Sequence, residues 1–249
     1  MWKEALTDFL LTLSFISRLP VKIKNIDEWE KRIKRIPVYF PVIGYIPGTI
    51  YSIGVLFAHS LSNYKLLFIF GAMAIGYYFF DLFHFDGLLD MFDGFLNQSN
   101  KERRLEIMSK GNVGPFAVFY GMLYILLFYQ LMSTLNWQAF LFASVFGRYE
   151  MALLLTFSKP AKPKGLGAML FPYNKRYTAY SMIFLIPLLF ISPLMFFISL
   201  ALTIITAYLI SRVSEIKIGG ITGDVLGGSC LISQMVVLLA FYIFHTFGR

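Results

Sequence analysis

Long apolar runs, each close to the length of a helix that crosses a bilayer, constrain the fold of this chain more than any other feature. Of its 249 residues, 57% are hydrophobic and only 14% are charged, and the mean hydropathy is +0.66. A water-soluble domain has no interior large enough for so much apolar surface. The sequence therefore predicts an all-α, polytopic transmembrane helical bundle that forms one integral membrane domain over residues 1–249.

The apolar runs predict about seven membrane spans. We place them at 37–60, 64–85, 114–133, 137–157, 177–192, 193–213 and 225–247. Ile191-Ser192-Pro193 is the only break between the fifth and sixth spans, so one long bent helix over 177–213 is the alternative. Seven spans are preferred because about 36 residues are too many for a single crossing, and a proline can close a tight helical hairpin.

Residues 1–36 precede the first span and predict an interfacial helix followed by a cytoplasmic linker, with the catalytic bundle in 37–249. Glu4 and Asp8 interrupt the pattern of a signal peptide. The first twenty residues instead suit an amphipathic helix on the membrane surface. The side chains expected to face acyl chains are Phe9, Leu10, Leu13, Phe15 and Ile16.

The basic residues lie almost entirely on one side of this arrangement. Segments 1–36, 86–113, 158–176 and 212–217 carry 19 of the 22 Lys and Arg, whereas only Lys65 and Arg249 fall on the other side and Arg148 lies within a span. By the positive-inside rule, the amino terminus and the long loops are cytoplasmic and the carboxyl terminus is outside. The net charge of +8 thus fits a multi-pass protein of the cell (inner) membrane, with the lipid bilayer rather than nucleic acid as partner.

Three carboxylates at the end of the second apolar run form the strongest chemical signal. In a helix, Asp86, Asp90 and Asp93 stand at i, i+4 and i+7, within about 40° of one another around the axis at roughly 100° per residue. Carboxylates near hydrocarbon need a partner, and Mg²⁺ or Mn²⁺ takes oxygen ligands and bridges to substrate phosphates. The alternative is that these acids cap helices or pair with nearby bases, namely Arg103, Arg104 and Lys110.

A second acidic motif, Gly219-Gly220-Ile221-Thr222-Gly223-Asp224, opens the last span. Its glycines suit a turn that exposes backbone N–H groups to phosphate, with Asp224 completing a metal site from another helix. Capping of the last helix by Thr222 or Asp224 explains the motif equally well. Because both acidic motifs fall on the same predicted side, the functional interpretation is favoured.

Further polar residues on the same side are candidates for the site. Arg148 lies within a span, where it either binds a phosphate or forms an ion pair with Asp81 or Glu150. His84 is a potential ligand or base, or a hydrogen-bonded interfacial residue. The loop Lys162-Pro163-Lys164-Gly165-Leu166-Gly167 combines cations with glycines and suits either phosphate binding or a solvated basic loop.

These motifs, in this order, resemble those of the cobalamin synthase family, the adenosylcobinamide-GDP ribazoletransferases. The resemblance is carried by Phe40-Pro41-Val42-Ile43-Gly44, by Phe83-His84-Phe85-Asp86-Gly87-Leu88-Leu89-Asp90 with Asp93-Gly94, by Leu105-Glu106-Ile107-Met108, by Gly147-Arg148, by Gly165-Leu166-Gly167 and by the motif from Gly219 to Gly227. It implies a Mg²⁺-dependent membrane enzyme that joins α-ribazole, or its 5′-phosphate, to adenosylcobinamide-GDP and releases GMP.

The resemblance assigns an expected role to each candidate. Asp86, Asp90, Asp93 and Asp224 are expected to hold Mg²⁺; Asp93, His84 and Arg148 are expected to be catalytic. The substrate-binding residues are expected to be Arg104, Lys164, Gly165, Gly167, Thr222 and Gly223. A CDP-alcohol phosphatidyltransferase is the nearest competing enzyme and a cation-coupled transporter the competitor from another class. Oligomeric state is left open, with a homo-oligomer as one option.

Overall fold

The computed structural model describes residues 2–23 and 27–247, and this part of the chain is helical without a β-strand. The all-α prediction is therefore confirmed. The helices that matter below are α1 (Trp2–Ile16), α2 (Trp29–Ile33), α3 (Phe40–Ser60), α4 (Lys65–Gly76), α5 (Leu82–Leu96), α6 (Lys101–Ser109), α7 (Pro115–Thr134), α8 (Trp137–Phe157), α9 (Leu166–Met169), α10 (Arg176–Ser181), α11 (Ile186–Ile191), α12 (Pro193–Ile218) and α13 (Gly223–Phe247).

Six helices in the described residues are long and apolar enough to cross a membrane. They are Ile36–Ser60, Ser62–Leu96, Pro115–Thr134, Trp137–Phe157, Pro193–Ile218 and Gly223–Thr246. The predicted fifth span, 177–192, corresponds to a shorter apolar helical segment, Arg176–Ile191. Ser192 then takes an extended backbone conformation, so 177–213 is not one continuous helix.

The relative direction of α8 and α12 shows how the shorter segment, Arg176–Ile191, runs through the bundle. The rings of Phe146 and Phe196 lie 5.7 Å apart, and the hydroxyls of Ser158 and Ser211 lie 2.8 Å apart. Both pairs advance in the same direction along the chain, so α8 and α12 run parallel. The segment between them must return the chain to the opposite end of the bundle, and Arg176–Ile191 makes that return.

Helix α8 is the centre of the bundle, with every residue from Ala139 to Leu155 buried. Its neighbour α3 runs antiparallel and approaches it at the backbone. A Cβ atom on Gly44 would lie 2.6 Å from the carbonyl oxygen of Ser144, and one on Gly48 would lie 3.1 Å from the Cα of Leu141. Small residues at these crossings let membrane helices pack closely without a solvent-driven hydrophobic force.

Helices α5 and α13 also cross in backbone contact, and this crossing positions the acidic motifs. A Cβ on Gly87 would lie 2.5 Å from the carbonyl oxygen of Asp224, and one on Gly227 would lie 3.1 Å from the Cα of His84. The two helices are antiparallel along this face. Any larger side chain at Gly87 would push the two acidic segments apart.

Helix α1 forms as predicted, but it packs on the bundle more than the amphipathic pattern indicated. Leu13 and Ile16 were expected to face acyl chains; this was wrong, because both are buried against protein. Asp8 anchors the helix, with its carboxylate 2.7 Å from the Arg32 guanidinium and 2.9 Å from that of Arg35. The residue at position 249, counted above as external, lies outside the described residues.

Candidate active site

Four carboxylates come together where α5 meets α13. Asp86, Asp90 and Asp93 follow one another along α5 at the predicted helical spacing, and Asp224 stands in the first turn of α13. Gly87 lies against the backbone of Asp224, and the charges of the other three acids all act on Asp90. The structure therefore unites the two predicted acidic motifs in one carboxylate cluster.

In the part of the chain that the structure describes, neither Asp86 nor Asp90 forms a hydrogen bond or an ion pair. Arg103 and Lys110 do not neutralise them, because each of these bases pairs with Glu106 at 2.7 Å. Hydrogen bonds from Lys110 and Arg103 lower the pKa of the Glu106 carboxyl to about 2. The two α5 acids thus repel each other, and neither has an ion-pair partner among the described residues.

Asp93 differs from its neighbours because backbone amides hold its carboxylate. The Gly114 N–H donates to Oδ2 at 2.5 Å, and the Ala117 N–H donates to Oδ1 at 3.0 Å. These amides open α7, and the unpaired N–H groups of a helix N-terminus attract negative charge. The helix-capping alternative therefore describes Asp93, whose metal-binding and catalytic roles stay predictions.

The donor set of the cluster suits a hard divalent cation. Mg²⁺ takes oxygen ligands, keeps several waters, and is commonly held by one or two carboxylates together with substrate phosphates. Among residues 2–23 and 27–247, no three His, Cys, Asp or Glu side chains converge enough to surround one ion. The fit rests on donor chemistry: carboxylate oxygens suit a cation that water and substrate phosphates also ligate, with Asp86, Asp90 and Asp224 as its candidate ligands.

A cavity of about 410 Å³ opens beside the cluster, and we call it the Asp86 cavity. Several predicted site residues line it: His84, Asp86, Lys164, Gly165, Gly167, Thr222, Gly223 and Asp224. Lys162 adds a second cation, and its charge acts on Asp224. Carboxylates and ammonium groups in one cavity of this size suit a ligand that carries phosphate and a cation.

The basic loop after α8 is fixed to the turn before α13. The Ala161 N–H donates to the carbonyl of Ile221 and the Ile221 N–H donates to the carbonyl of Lys159, both at 2.9 Å. At Gly220, φ is +155° and a Cβ would lie 2.5 Å from the Lys159 carbonyl oxygen, so only glycine allows this approach. The loop that carries the lysines and the acidic turn are therefore joined through their backbones beside the cavity.

Thr222 caps the last helix, as the structural alternative expected. Its hydroxyl oxygen accepts from the Val225 N–H at 3.3 Å and donates to Oδ2 of Asp224 at 3.1 Å. The second contact restrains the Asp224 side chain at the edge of the cavity. Capping and function are thus compatible at this turn, because the cap orients a member of the carboxylate cluster.

Comparison with known proteins decides the family. The family model described as cobalamin-5-phosphate synthase matches residues 8–242. The chain belongs to that family. A relative from Fervidobacterium nodosum, named adenosylcobinamide-GDP ribazoletransferase, is 56% identical over 95% of this chain and 97% of its own length. Relatives of the same name from Thermosipho melanesiensis and Kosmotoga olearia are 55% and 42% identical over 93% and 96% of this chain, and 97% and 98% of their own lengths. No solved structure matches.

In this member of the cobalamin-5-phosphate synthase family, Arg148 lies outside the Asp86 cavity. Its Nη2 donates to Oδ1 of Asp81 at 2.8 Å, and the Tyr51 hydroxyl donates to the other oxygen of Asp81 at 2.5 Å. Arg148 is 0% and Asp81 1% exposed. Of the alternatives open from the sequence, the structure shows the ion pair with Asp81, and a catalytic role for Arg148 stays untested. Glu150 bonds Ser229 instead, at 2.7 Å.

Arg104 also lies away from the Asp86 cavity, at the carboxyl end of α5. Its guanidinium donates to the carbonyls of Gly94, Phe95 and Ser99 at 2.7–2.9 Å. Cations at a helix C-terminus satisfy its free carbonyls and its negative dipole end. This contact holds α6 against the acidic helix, and substrate binding by Arg104 stays a prediction.

His84 is buried but lines the Asp86 cavity. Its Nδ1 lies 3.5 Å from Oδ1 of Asp81, which is longer than a well-formed hydrogen bond. The imidazole therefore stands between the buried ion pair and the cavity. This position is compatible with the predicted catalytic role.

Sequence reasoning missed the apolar lining of the cavity. Phe15, Ile16, Phe83 and Met151 contribute to it, and the first two come from α1. Their sequence signal was an amphipathic helix, which has the same pattern whether its apolar face meets lipid or protein.

Proposed function

We propose that this protein is an adenosylcobinamide-GDP ribazoletransferase. It would join α-ribazole, or its 5′-phosphate, to adenosylcobinamide-GDP with release of GMP. The observation that carries the proposal is the carboxylate cluster beside a cavity that also holds two lysines. A nucleotide diphosphate and its cation need both kinds of group within a few ångströms, and the relatives' shared name supplies the substrate class.

Mg²⁺ is the proposed cofactor, held by Asp86, Asp90 and Asp224. When bound, it would neutralise the diphosphate and the negative charge on the departing GMP. The like charges around Asp90 support this assignment, because a cation relieves their mutual repulsion. Asp93 supports the cluster by holding the start of α7 in place beside it.

Lys162 and Lys164, which line the same cavity, are proposed to bind the phosphoryl oxygens. Gly165, Gly167 and Gly223 also line the cavity, and their backbone N–H groups are proposed to bind the same oxygens. Donors fixed before the reaction stabilise charge that develops in the transition state at little reorganisation cost. The rigid pairing of the loop with Ile221 supports this role.

The chemical step is an in-line displacement. A ribose hydroxyl of ribazole attacks the phosphorus next to the corrinoid, the bond from that phosphorus to the bridging oxygen breaks, and GMP leaves with that oxygen. The hydroxyl proton needs an acceptor, and His84 is proposed for it because it lines the cavity while the Asp93 oxygens are occupied by amides. Arg148 is proposed as a positioning residue, because its ion pair holds Asp81 next to His84.

The reaction is proposed to take place at the cytoplasmic face of the inner membrane. The 19 to 2 distribution of Lys and Arg supports this orientation, with the amino terminus inside. All residues of the carboxylate cluster and both cavity lysines belong to that basic side. Substrates made in the cytosol would reach the cavity without crossing the bilayer.

Assay of membranes that contain the protein tests the proposal. GMP release from adenosylcobinamide-GDP is measured with and without α-ribazole and with and without Mg²⁺, beside membranes that lack the chain. Release that needs both additions is expected. Release without ribazole would indicate a hydrolase. CMP release from a CDP-alcohol, with no GMP release from adenosylcobinamide-GDP, would indicate a phosphatidyltransferase; either result rejects the proposed function.

A further inference from the structure

The Asp86 cavity is lined by two kinds of side chain. Asp86, Asp224 and the loop lysines are charged, whereas Phe15, Ile16, Phe83, Met151 and Leu226 are apolar, and we call these five residues the apolar wall. Phosphates and a cation gain no favourable interaction from apolar side chains. The cavity therefore accommodates a ligand with a charged part and an apolar part.

Contacts just after α1 hold the apolar wall in place. At the end of α1, the Arg18 N–H donates to the Phe79 carbonyl at 2.7 Å, and the Arg18 guanidinium lies 4.5 Å from the centre of the Tyr78 ring. The same guanidinium is 5.8 Å from the centre of the Phe83 ring. Cation–π contacts of this kind fix the relative position of helix and ring. Phe15 and Phe83 thus keep their places at the cavity.

We propose that this apolar wall is the binding site for the benzimidazole base of the ribazole acceptor, with Phe15 and Phe83 as its specificity-determining residues. The inference rests on the proposed function and assigns the acceptor subsite, which the proposed function leaves open. With its base against Phe15 and Phe83, ribazole directs its ribose towards the carboxylate cluster. The attacking hydroxyl then lies on the charged side of the cavity.

The chemistry of the wall favours benzimidazole over the guanine of the other substrate. Guanine carries several donors and acceptors on its edge, and burial of such groups against Ile16, Met151 and Leu226 would leave them unpaired. A benzimidazole presents a flat and largely apolar surface that stacks on aromatic rings. A cavity of about 410 Å³ suits a ligand of nucleoside dimensions better than the larger corrin ring.

Steady-state kinetics of the full-length protein in lipid nanodiscs test the subsite. Phe15→Ala is expected to raise the KM for ribazole by about 5- to 150-fold, as loss of one base–aromatic stack does, and to leave the KM for adenosylcobinamide-GDP within about twofold. Phe15→Tyr keeps the ring and is expected to keep the wild-type KM. Phe9→Ala is the matched control, because Phe9 is on the same helix but packs on Tyr39 at 6.4 Å.

Equilibrium dialysis of labelled α-ribazole, with no second substrate, gives a readout independent of turnover. Weaker binding to Phe15→Ala than to Phe9→Ala supports the subsite. An unchanged ribazole KM and affinity, or a rise only in the KM for adenosylcobinamide-GDP, overturns it. If the wild type releases no GMP, the proposed function fails, and dialysis still decides whether ribazole binds through Phe15.

Discussion

Arg148 and Asp81 form an ion pair of 2.8 Å in which neither side chain reaches solvent. The pair joins α8 to the π-helical segment Tyr77–Asp81 that precedes α5, and the Tyr51 hydroxyl of α3 donates to the second carboxylate oxygen. Three membrane helices thus meet at one charged contact. Such a pair is costly to break, because the remaining partner keeps its charge in a nonpolar interior.

Removal of either partner of this pair is expected to destabilise the protein. Arg148→Ala and Asp81→Ala should each lower the free energy of unfolding by about 3–5 kcal/mol, and the double variant Arg148→Met with Asp81→Leu should recover much of that loss. Melting temperature in detergent and GMP release are measured together. A variant Arg148→Lys with normal melting but turnover reduced a hundredfold would instead place Arg148 in the chemistry.

Neutral replacements in the carboxylate cluster are expected to separate function from stability. Asp86→Asn, Asp90→Asn and Asp224→Asn should each lower transfer at least about a hundredfold, because each removes a ligand from a phosphate-bridging cation. Melting temperature should stay constant or rise, since the substitutions relieve repulsion around Asp90. Near-normal turnover in two of the three at saturating Mg²⁺ contradicts the metal assignment.

Asp93 is expected to behave differently from the other three acids. Asp93→Ala removes the acceptor for the Gly114 and Ala117 amides and should destabilise the protein by about 1–2 kcal/mol, as loss of a helix cap does. Asp93→Asn keeps one acceptor oxygen and should fall between Asp93→Ala and the wild type in melting temperature. If Asp93→Ala melts normally yet loses transfer a hundredfold, Asp93 is a ligand or base rather than a cap.

Metal binding is expected to be visible without turnover. Mg²⁺ should raise the melting temperature of the wild type, because a ligand that binds only the folded state stabilises that state. It should leave the melting temperatures of Asp86→Asn and Asp224→Asn unchanged. Chelation by EDTA should abolish GMP release, and Mg²⁺ or Mn²⁺ should restore it. Equal shifts in the wild type and both variants would locate the cation elsewhere.

The parallel course of α8 and α12 predicts that Arg176–Ile191 crosses the membrane. Single cysteines in a Cys230→Ala background at the accessible positions 30, 105 and 174 should react with impermeant reagents from the cytoplasmic side, and cysteines at 62 and 136 from the outside. Position 248, just outside the described residues, should also react from the outside. Cytoplasmic reaction at 248 would show an even number of crossings.

The acidic residues were predictable because their spacing carries the geometry. Asp86 and Asp90 fall on one helical face by periodicity alone, and the glycines beside Asp224 indicate a close crossing. Partner choice was not predictable in the same way: Arg148 had two acids available, and only the packing of α3, α5 and α8 selects Asp81 over Glu150. The place of Phe15 also depended on packing, because lipid and protein interiors are equally apolar solvents for such a face.

The burial of α8 among its neighbours has a consequence for how the protein is made. On its own, a helix that carries Arg148 and Glu150 enters a bilayer poorly, since a central arginine costs about 2.5–3.5 kcal/mol in translocon-mediated insertion. Asp81 accepts a hydrogen bond from Arg148, and Tyr51 donates one to the same carboxylate. Both residues precede α8 in the chain and are already in the membrane when α8 is synthesised. The order of the helices in the sequence thus provides the insertion partner before the helix that needs it.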